Sequence, residues 1–462
     1  MAPALRLFIT LSLLVLLLPG AAAPVQAAPA LVSLDGSGRL NLTSRLQLVR
    51  AEGRDLQTIL ALDDSVWRRL DHPLSQAKGR YWARVAVQNA TDMPLEQLIV
   101  SDFPATNSIA LWQVDAAGNT RQLAAPAGIN FPFLHRDERH RRVLATLQLA
   151  PGEQALLVWQ IESRPLFRFA ARVWPPEQFQ PADHNRSLLY GMLYGALLIM
   201  AVYNLFLWIA LREKHYFFYV IYLLCAGYLA GAEEGHLYQF LWPASAWPKA
   251  LVLTLVSAAS IGAFFVFSSA FLRLRRRQQT LFRFLRVVAL LTIGATLIGG
   301  ILEQAWAART ALALAIPFYL LALLAAVRVR MRGFIPAGYY VAAMLLLVIA
   351  MVLNNLVALG VWSGISGLED FNAIATAVMM AFFSIALASK IDQLQRDSDN
   401  AAAGIASANR EIHRINNELV QARMERAALE QSAIGARRES QAKSAFLATI
   451  GHEIRTPMSG VL

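Results

Sequence analysis

The sequence predicts a multidomain membrane protein: an exported all-β sandwich, a bundle of seven transmembrane helices, and a long cytoplasmic helix with coiled-coil character. Three observations carry that prediction. Of 462 residues, 56% are hydrophobic and only 16% are charged, against about 25% charged in soluble globular chains. Short runs of strand character, bounded by turn residues, fill the stretch up to residue 180, and seven long apolar runs fill residues 188–389. From Ile391 the chain turns polar and keeps a heptad spacing of small and apolar residues.

Residues 1–27 carry the features of a secretory leader. Arg6 precedes an apolar run over residues 7–18, Pro19-Gly20 ends it, and Val25-Gln26-Ala27 places small residues at the −3 and −1 positions of a cleavage site. About a dozen apolar residues are too short to cross a bilayer comfortably. The single cysteine, Cys225, cannot form an intrachain disulfide, so the exported domain must fold on its core alone.

That domain is expected over residues 31–180. Residues 81–89 (YWARVAVQN), 109–114 (IALWQV), 143–149 (VLATLQL), 155–162 (ALLVWQIE) and 167–174 (FRFAARVW) are rich in β-branched and aromatic residues. Turn signals at 89–94 (NATDMP), 115–119 (DAAGN) and Pro151-Gly152 separate them, a pattern of short strands that predicts an antiparallel sandwich. Period-two alternation puts Tyr81, Ala83, Val85 and Val87 on one face. Trp82, Trp112, Trp159 and Trp174 are the candidate ligand-binding residues, because aromatic faces stack on sugars or hold cations. Core packing is the competing reading, since aromatics dominate such cores. His135 and His140 lie in a basic segment (HRDERH) whose spacing matches no metal-ligand pattern, so it is expected to be a solvated loop and no metal site is predicted.

The apolar runs cover residues 188–211, 216–232, 250–272, 287–303, 310–327, 336–361 and 371–389, most of them near the roughly 20 residues a transmembrane helix needs. Arg212 and Lys214, then Arg273, Arg275, Arg276, Arg277, Arg283 and Arg286, then Arg328, Arg330 and Arg332 follow alternate runs, and the intervening loops are poor in Lys and Arg. The positive-inside rule puts the basic loops and the C-terminus in the cytoplasm and the N-terminal domain outside. These loops hold most of the net charge of +11, so the basic balance points to anionic lipid and away from nucleic acid. Asn204, Asn354 and Asn355 within the runs suit interhelical hydrogen bonds better than an ion path. No run carries a central carboxylate–histidine relay, which weakens a transporter reading.

Between residues 81 and 94 the chain reads YWARVAVQNATDMP, and residues 186–224 read RSLLYGMLYGALLIMAVYNLFLWIALREKHYFFYVIYLL. In that order they resemble the bacterial seven-transmembrane receptors with diverse intracellular signalling modules (7TMR-DISM), over about residues 40–390. The resemblance implies that the exported sandwich is a jelly roll similar to carbohydrate-binding modules, that the membrane is the bacterial inner membrane, and that the ligand is a small periplasmic molecule, a carbohydrate or a divalent cation such as calcium.

Residues 391–442 fit one heptad register, with Ile391, Ser398, Ile405, Ile412, Leu419, Arg426 and Ala433 at a, and Leu394, Ala401, Ala408, Ile415, Ala422, Leu429 and Ala436 at d. This predicts a parallel dimeric coiled coil. Its alanines and Arg426 make the seam weak, as suits a helix that switches between two packings. The alternative is a single solvated helix.

Residues 443–462 end in FLATIGHEIRTPMSGVL. Phe446, Ile450 and Ile454 recur at four-residue spacing and would face a dimeric bundle, leaving His452 off that stripe. A neutral imidazole is a competent nucleophile at pH 7. Glu453 beside it is placed to take the ring proton, Thr456 shares its helical face at i+4, and Pro457 should bend the helix past the site. The string closely resembles the H-box of bacterial sensor histidine kinases, with Gly451 where the family usually has serine. The resemblance implies that His452 is the phosphoacceptor, Glu453 the general base and Thr456 a participant in dephosphorylation. It also implies a homodimer, and a response regulator or receiver domain as phosphate recipient. The ATP-binding domain that would follow is not in the sequence. The chain is therefore expected to bind no cofactor, ATP and Mg²⁺ belonging to that domain, and to be a fragment or a truncated product that does not phosphorylate itself. The rival expectation is a non-catalytic regulator that pairs its H-box helix with another sensor kinase.

Overall fold

The structure, a computed structural model, describes residues 31–69, 77–102, 104, 106–166, 169–244, 249–358 and 368–458. The expected leader at residues 1–27 lies outside them. Two compact units divide the chain, residues 1–390 and 391–462.

The first unit begins with strands: β1 (Leu31–Leu34), β2 (Leu40–Asn41), β3 (Gln47–Arg50), β4 (Arg68–Arg69), β5 (Ala77–Asn89), β6 (Leu95–Ser101), β7 (Ser108–Asp115), β8 (Thr120–Ala127), β9 (Val143–Leu149), β10 (Gln154–Leu166) and β11 (Ala171–Trp174). A short helix, α1 (Leu56–Leu60), is capped by Asp55, whose carboxylate accepts from the Thr58 amide. One sheet runs β4-β3-β5-β10-β7-β8, with β1 pairing parallel to the end of β5; the other runs β2-β11-β6-β9. The alternation expected along β5 appears as burial on both faces. Tyr81, Ala83, Val85 and Val87 enter the core between the sheets, with Ile99, Leu147 and Val173 from the second sheet. On the opposite face, Trp82 packs in a smaller cluster with Ile59, Trp67, Val114 and Val158.

Helices follow: α2 (Pro176–Leu211), α3 (Lys214–Glu234), α4 (His236–Phe240), α5 (Lys249–Phe271), α6 (Leu274–Arg277), α7 (Gln279–Ile301), α8 (Ala305–Met331), α9 (Ala337–Ala358) and α10 (Leu368–Met458). Six of these are long and apolar enough to cross a membrane, and a shorter apolar helix, Ala337–Met351, lies within α9. Among the described residues, each expected apolar run falls largely on a helix, although helical structure already starts at Pro176, twelve residues before the first run. An aromatic cluster ties the bundle together. Phe383 of α10 packs against Tyr219, Phe264, Phe267 and Tyr340, and Tyr219 donates to the carbonyl of Met380 over 2.7 Å. Arg332 donates to the carbonyl of Arg277 over 2.9 Å, so two basic turns meet. They lie at the opposite helix ends from the sandwich, which contacts α2 and α8.

In the second unit, residues 391–458 continue α10. Ile405, Ile412, Ile415, Leu419 and Leu429 of the expected seam are all exposed, and Arg396–Asp392 and Lys443–Glu439 pair across helical turns.

Candidate functional site

The sandwich meets the bundle through buried charge. Asp102 follows β6, Arg142 precedes β9, and Arg172 sits on β11. Arg172 Nε lies 3.0 Å from Asp102 Oδ2, and Arg142 Nη1 donates to Asp102 Oδ1 over 3.1 Å. Arg142 also reaches Glu234 Oε2, at the end of α3, over 3.5 Å. Glu234 in turn accepts from Arg186 of α2 over 2.9 Å and 2.5 Å. The five residues form an alternating string from the second sheet to two helices. The side chains of Asp102, Arg142 and Glu234 are at most 9% exposed. Burying charge is tolerable only when each group is paired in this way.

A second pair stands beside it. Arg141 donates to both carboxylate oxygens of Asp183 on α2, over 2.8 Å and 2.5 Å, and to Ser187 Oγ over 2.8 Å. His140 Nδ1 accepts from the Arg142 amide at 3.1 Å, so the ring proton sits on Nε2, which donates to Asp183 over 3.0 Å. Arg136 donates to the carbonyls of His140 and Arg141 over 2.9 Å and 2.8 Å, and burial pushes its guanidinium down to about 10, still charged at neutral pH. The expectation of a solvated loop over residues 135–140 is corrected in part: His135, Asp137, Glu138 and Arg139 are exposed, but Arg136 is buried and His140 half-buried, and Arg141 and Arg142, just beyond the segment, are buried where the sandwich docks. The acidic partners on α2 and α3 lie more than forty residues away in sequence, out of reach of a spacing argument.

Gly235, between α3 and α4, takes φ 86°, and a Cβ there would lie 2.8 Å from Pro104 and 2.9 Å from the Arg141 carbonyl. Only glycine permits that approach. The next residue, His236, accepts or donates at Nδ1 with the Tyr194 hydroxyl over 3.0 Å. Burial holds its imidazole down at about 4, neutral at pH 7.

The four tryptophans are not gathered into one site. Trp159 is fully buried in the core between the sheets, against Phe169. Trp82 is 1% exposed on the other face of that sheet, with Trp112 half-buried 5.6 Å away. Trp174 lies apart, with Arg39 over its ring at 5.2 Å, and lines a pocket of about 360 Å³ with Arg142, Arg172 and Arg186. Its indole Nε1 has no hydrogen-bond acceptor among the described residues. Sequence periodicity did not reveal this pocket, because its arginines come from four separate segments. His452 is exposed near the end of α10. The backbone of Glu453, Thr456 and Pro457 is helical to Met458, and their side chains lie outside the described residues.

Residues 186–390 match the family described as 7TM diverse intracellular signalling, and residues 55–175 match 7TMR-DISM extracellular 2. With the apolar helices, these matches support a transmembrane sensory receptor of the 7TMR-DISM type, multi-pass, with an extracellular N-terminal domain and intracellular signalling. No curated protein matches the chain.

Proposed function

We propose that this receptor is the sensor portion of a hybrid-type histidine kinase of the bacterial inner membrane, and that its output residue is His452. The string FLATIGHEIRTP, with His452 exposed on its helix, carries the reading. In it, an imidazole nitrogen attacks the γ-phosphorus of ATP, ADP leaves, and Glu453 takes the ring proton. A kinase ATP-binding domain supplies ATP and Mg²⁺. The phosphoryl group then passes to a receiver aspartate, and Thr456 positions water for dephosphorylation. The leader over residues 1–27 exports the sandwich, and the positive-inside rule puts the C-terminus in the cytoplasm. A small ligand, a carbohydrate or a divalent cation, binds the sandwich. Of the four candidate tryptophans, Trp174 has the strongest claim, because it lines the arginine pocket beside the bundle. Trp82, Trp112 and Trp159 serve chiefly as packing.

The exposed apolar seam over residues 405–429 favours a second reading, a regulator that pairs with another kinase's helix. One experiment separates the two. The chain is incubated with radiolabelled ATP, alone and with a kinase catalytic domain added in trans. Acid-labile label in trans that disappears in His452→Gln supports the phosphoacceptor. Absence of label, with a second sensor kinase co-purifying, supports the regulator.

A further inference from the structure

A cavity of about 1070 Å³ opens between α2 and α3 on the bundle side of the junction. Along α2 its wall runs from Asp183 through Ser187, Gly191 and Tyr194 to Leu198. Fifteen helical steps span about 22 Å, close to the depth of one leaflet with its headgroup region, about 20–22 Å. The wall is polarised. Arg141, Asp183 and Ser187 stand at the sandwich end, and Leu197, Leu198, Leu223 and Leu224 at the other. Leu198, Leu224 and Phe240 at the rim are 59%, 55% and 71% exposed, so the opening faces the surface that meets acyl chains in a bilayer.

The polar end is built to donate. The Arg141 side chain is 4% exposed, yet its Nε has no acceptor among the described residues. When Tyr194 donates to His236 Nδ1, the ring proton of His236 sits on Nε2, a further donor on the cavity wall. A buried donor without an acceptor, such as Arg141 Nε, is costly. Gly191 keeps the middle of the cavity open, and a Cβ added there meets nothing within 4 Å.

We propose that this cavity holds one phospholipid of the outer leaflet. Its phosphate and ester oxygens accept from Arg141, Ser187 and the Tyr194–His236 pair, and an acyl chain runs past Gly191 between Leu198 and Leu224. A phospholipid head offers several acceptors, matching the donors, and the opening lets the lipid enter sideways from the membrane. The lipid contacts Arg141, which also holds Asp183, so its occupancy bears on the joint between sandwich and bundle. The proposal rests on the bundle's place in a membrane and is independent of the role of His452.

The test is native mass spectrometry of the full chain in detergent, incubated with palmitoyl-oleoyl phosphatidylglycerol or with palmitate. The wild type should retain one phospholipid, and Gly191→Leu should lower its occupancy about tenfold while unfolding at an unchanged temperature, since leucine is the better helix former. Equal phospholipid retention by wild type and Gly191→Leu overturns the proposal. Retention of palmitate with no phospholipid overturns the assignment to a bilayer lipid.

Discussion

Gly235 is a position where a single methyl group meets strong resistance. Its φ of 86° is unfavourable for any L side chain, and its neighbours are the Pro104 ring and the backbone of Arg141, neither of which has a flexible end to move. Gly235→Ala should destabilise the folded receptor by about 1–3 kcal/mol, read as a lower unfolding temperature in detergent. Gly53 also has positive φ, but nothing lies within 4 Å of its would-be Cβ, so Gly53→Ala should cost less. The pair separates backbone strain from steric exclusion at the joint. From the sequence alone Gly235 is one glycine among 26, and only the approach of Pro104 distinguishes it.

At the scale of elements, α10 poses the sharpest question. Its seam residues Ile412 and Leu419 are 62% and 50% exposed, and burying such side chains is worth about 1.5–3 kcal/mol each, so a second helix is the natural cover. Ile412→Cys, at an a position, should form an intermolecular disulfide in oxidised membranes, and a cysteine replacing Arg414, on the outer face, should not. Equal cross-linking at both positions would argue against this register. Much of the helical and strand pattern was legible in advance: residues 143–149 were expected as a strand and form β9, and the apolar runs fall on helices. The strands β1 to β4 were not foreseen. They are two to four residues long, too short for alternation to register, and their pairing, β1 and β3 with β5, β2 with β11 and β4 with β3, comes from tertiary context. β6 was passed over although four of its seven residues are apolar and four are buried. Charge hid the part that Arg136 and His140 play in residues 135–140, because a basic segment looks solvated throughout until the partners of its buried members are found.

Across the whole of residues 1–390, the Arg172–Asp102–Arg142–Glu234–Arg186 string fastens the exported sandwich to the first two membrane helices. Removing one charge from it takes a counter-charge away from partners that are themselves buried. Glu234→Gln should therefore cost on the order of 3 kcal/mol, whereas Glu52→Gln, which removes the exposed pair Arg50–Glu52, should change stability by roughly 0.5 kcal/mol or less. Thermal unfolding of both variants in one detergent checks the contrast. The burial of the string has one more consequence, for the medium outside the cell. Dissolved salt screens exposed charges over a Debye length of about 8 Å at physiological ionic strength, but hardly reaches pairs shut away from water. The salinity outside a cell varies. A joint fastened by exposed ion pairs would slacken and tighten with every change of salinity. With Asp102 and Arg142 at 3% and 6% exposure, this joint should hold the same stiffness in dilute and in saline media.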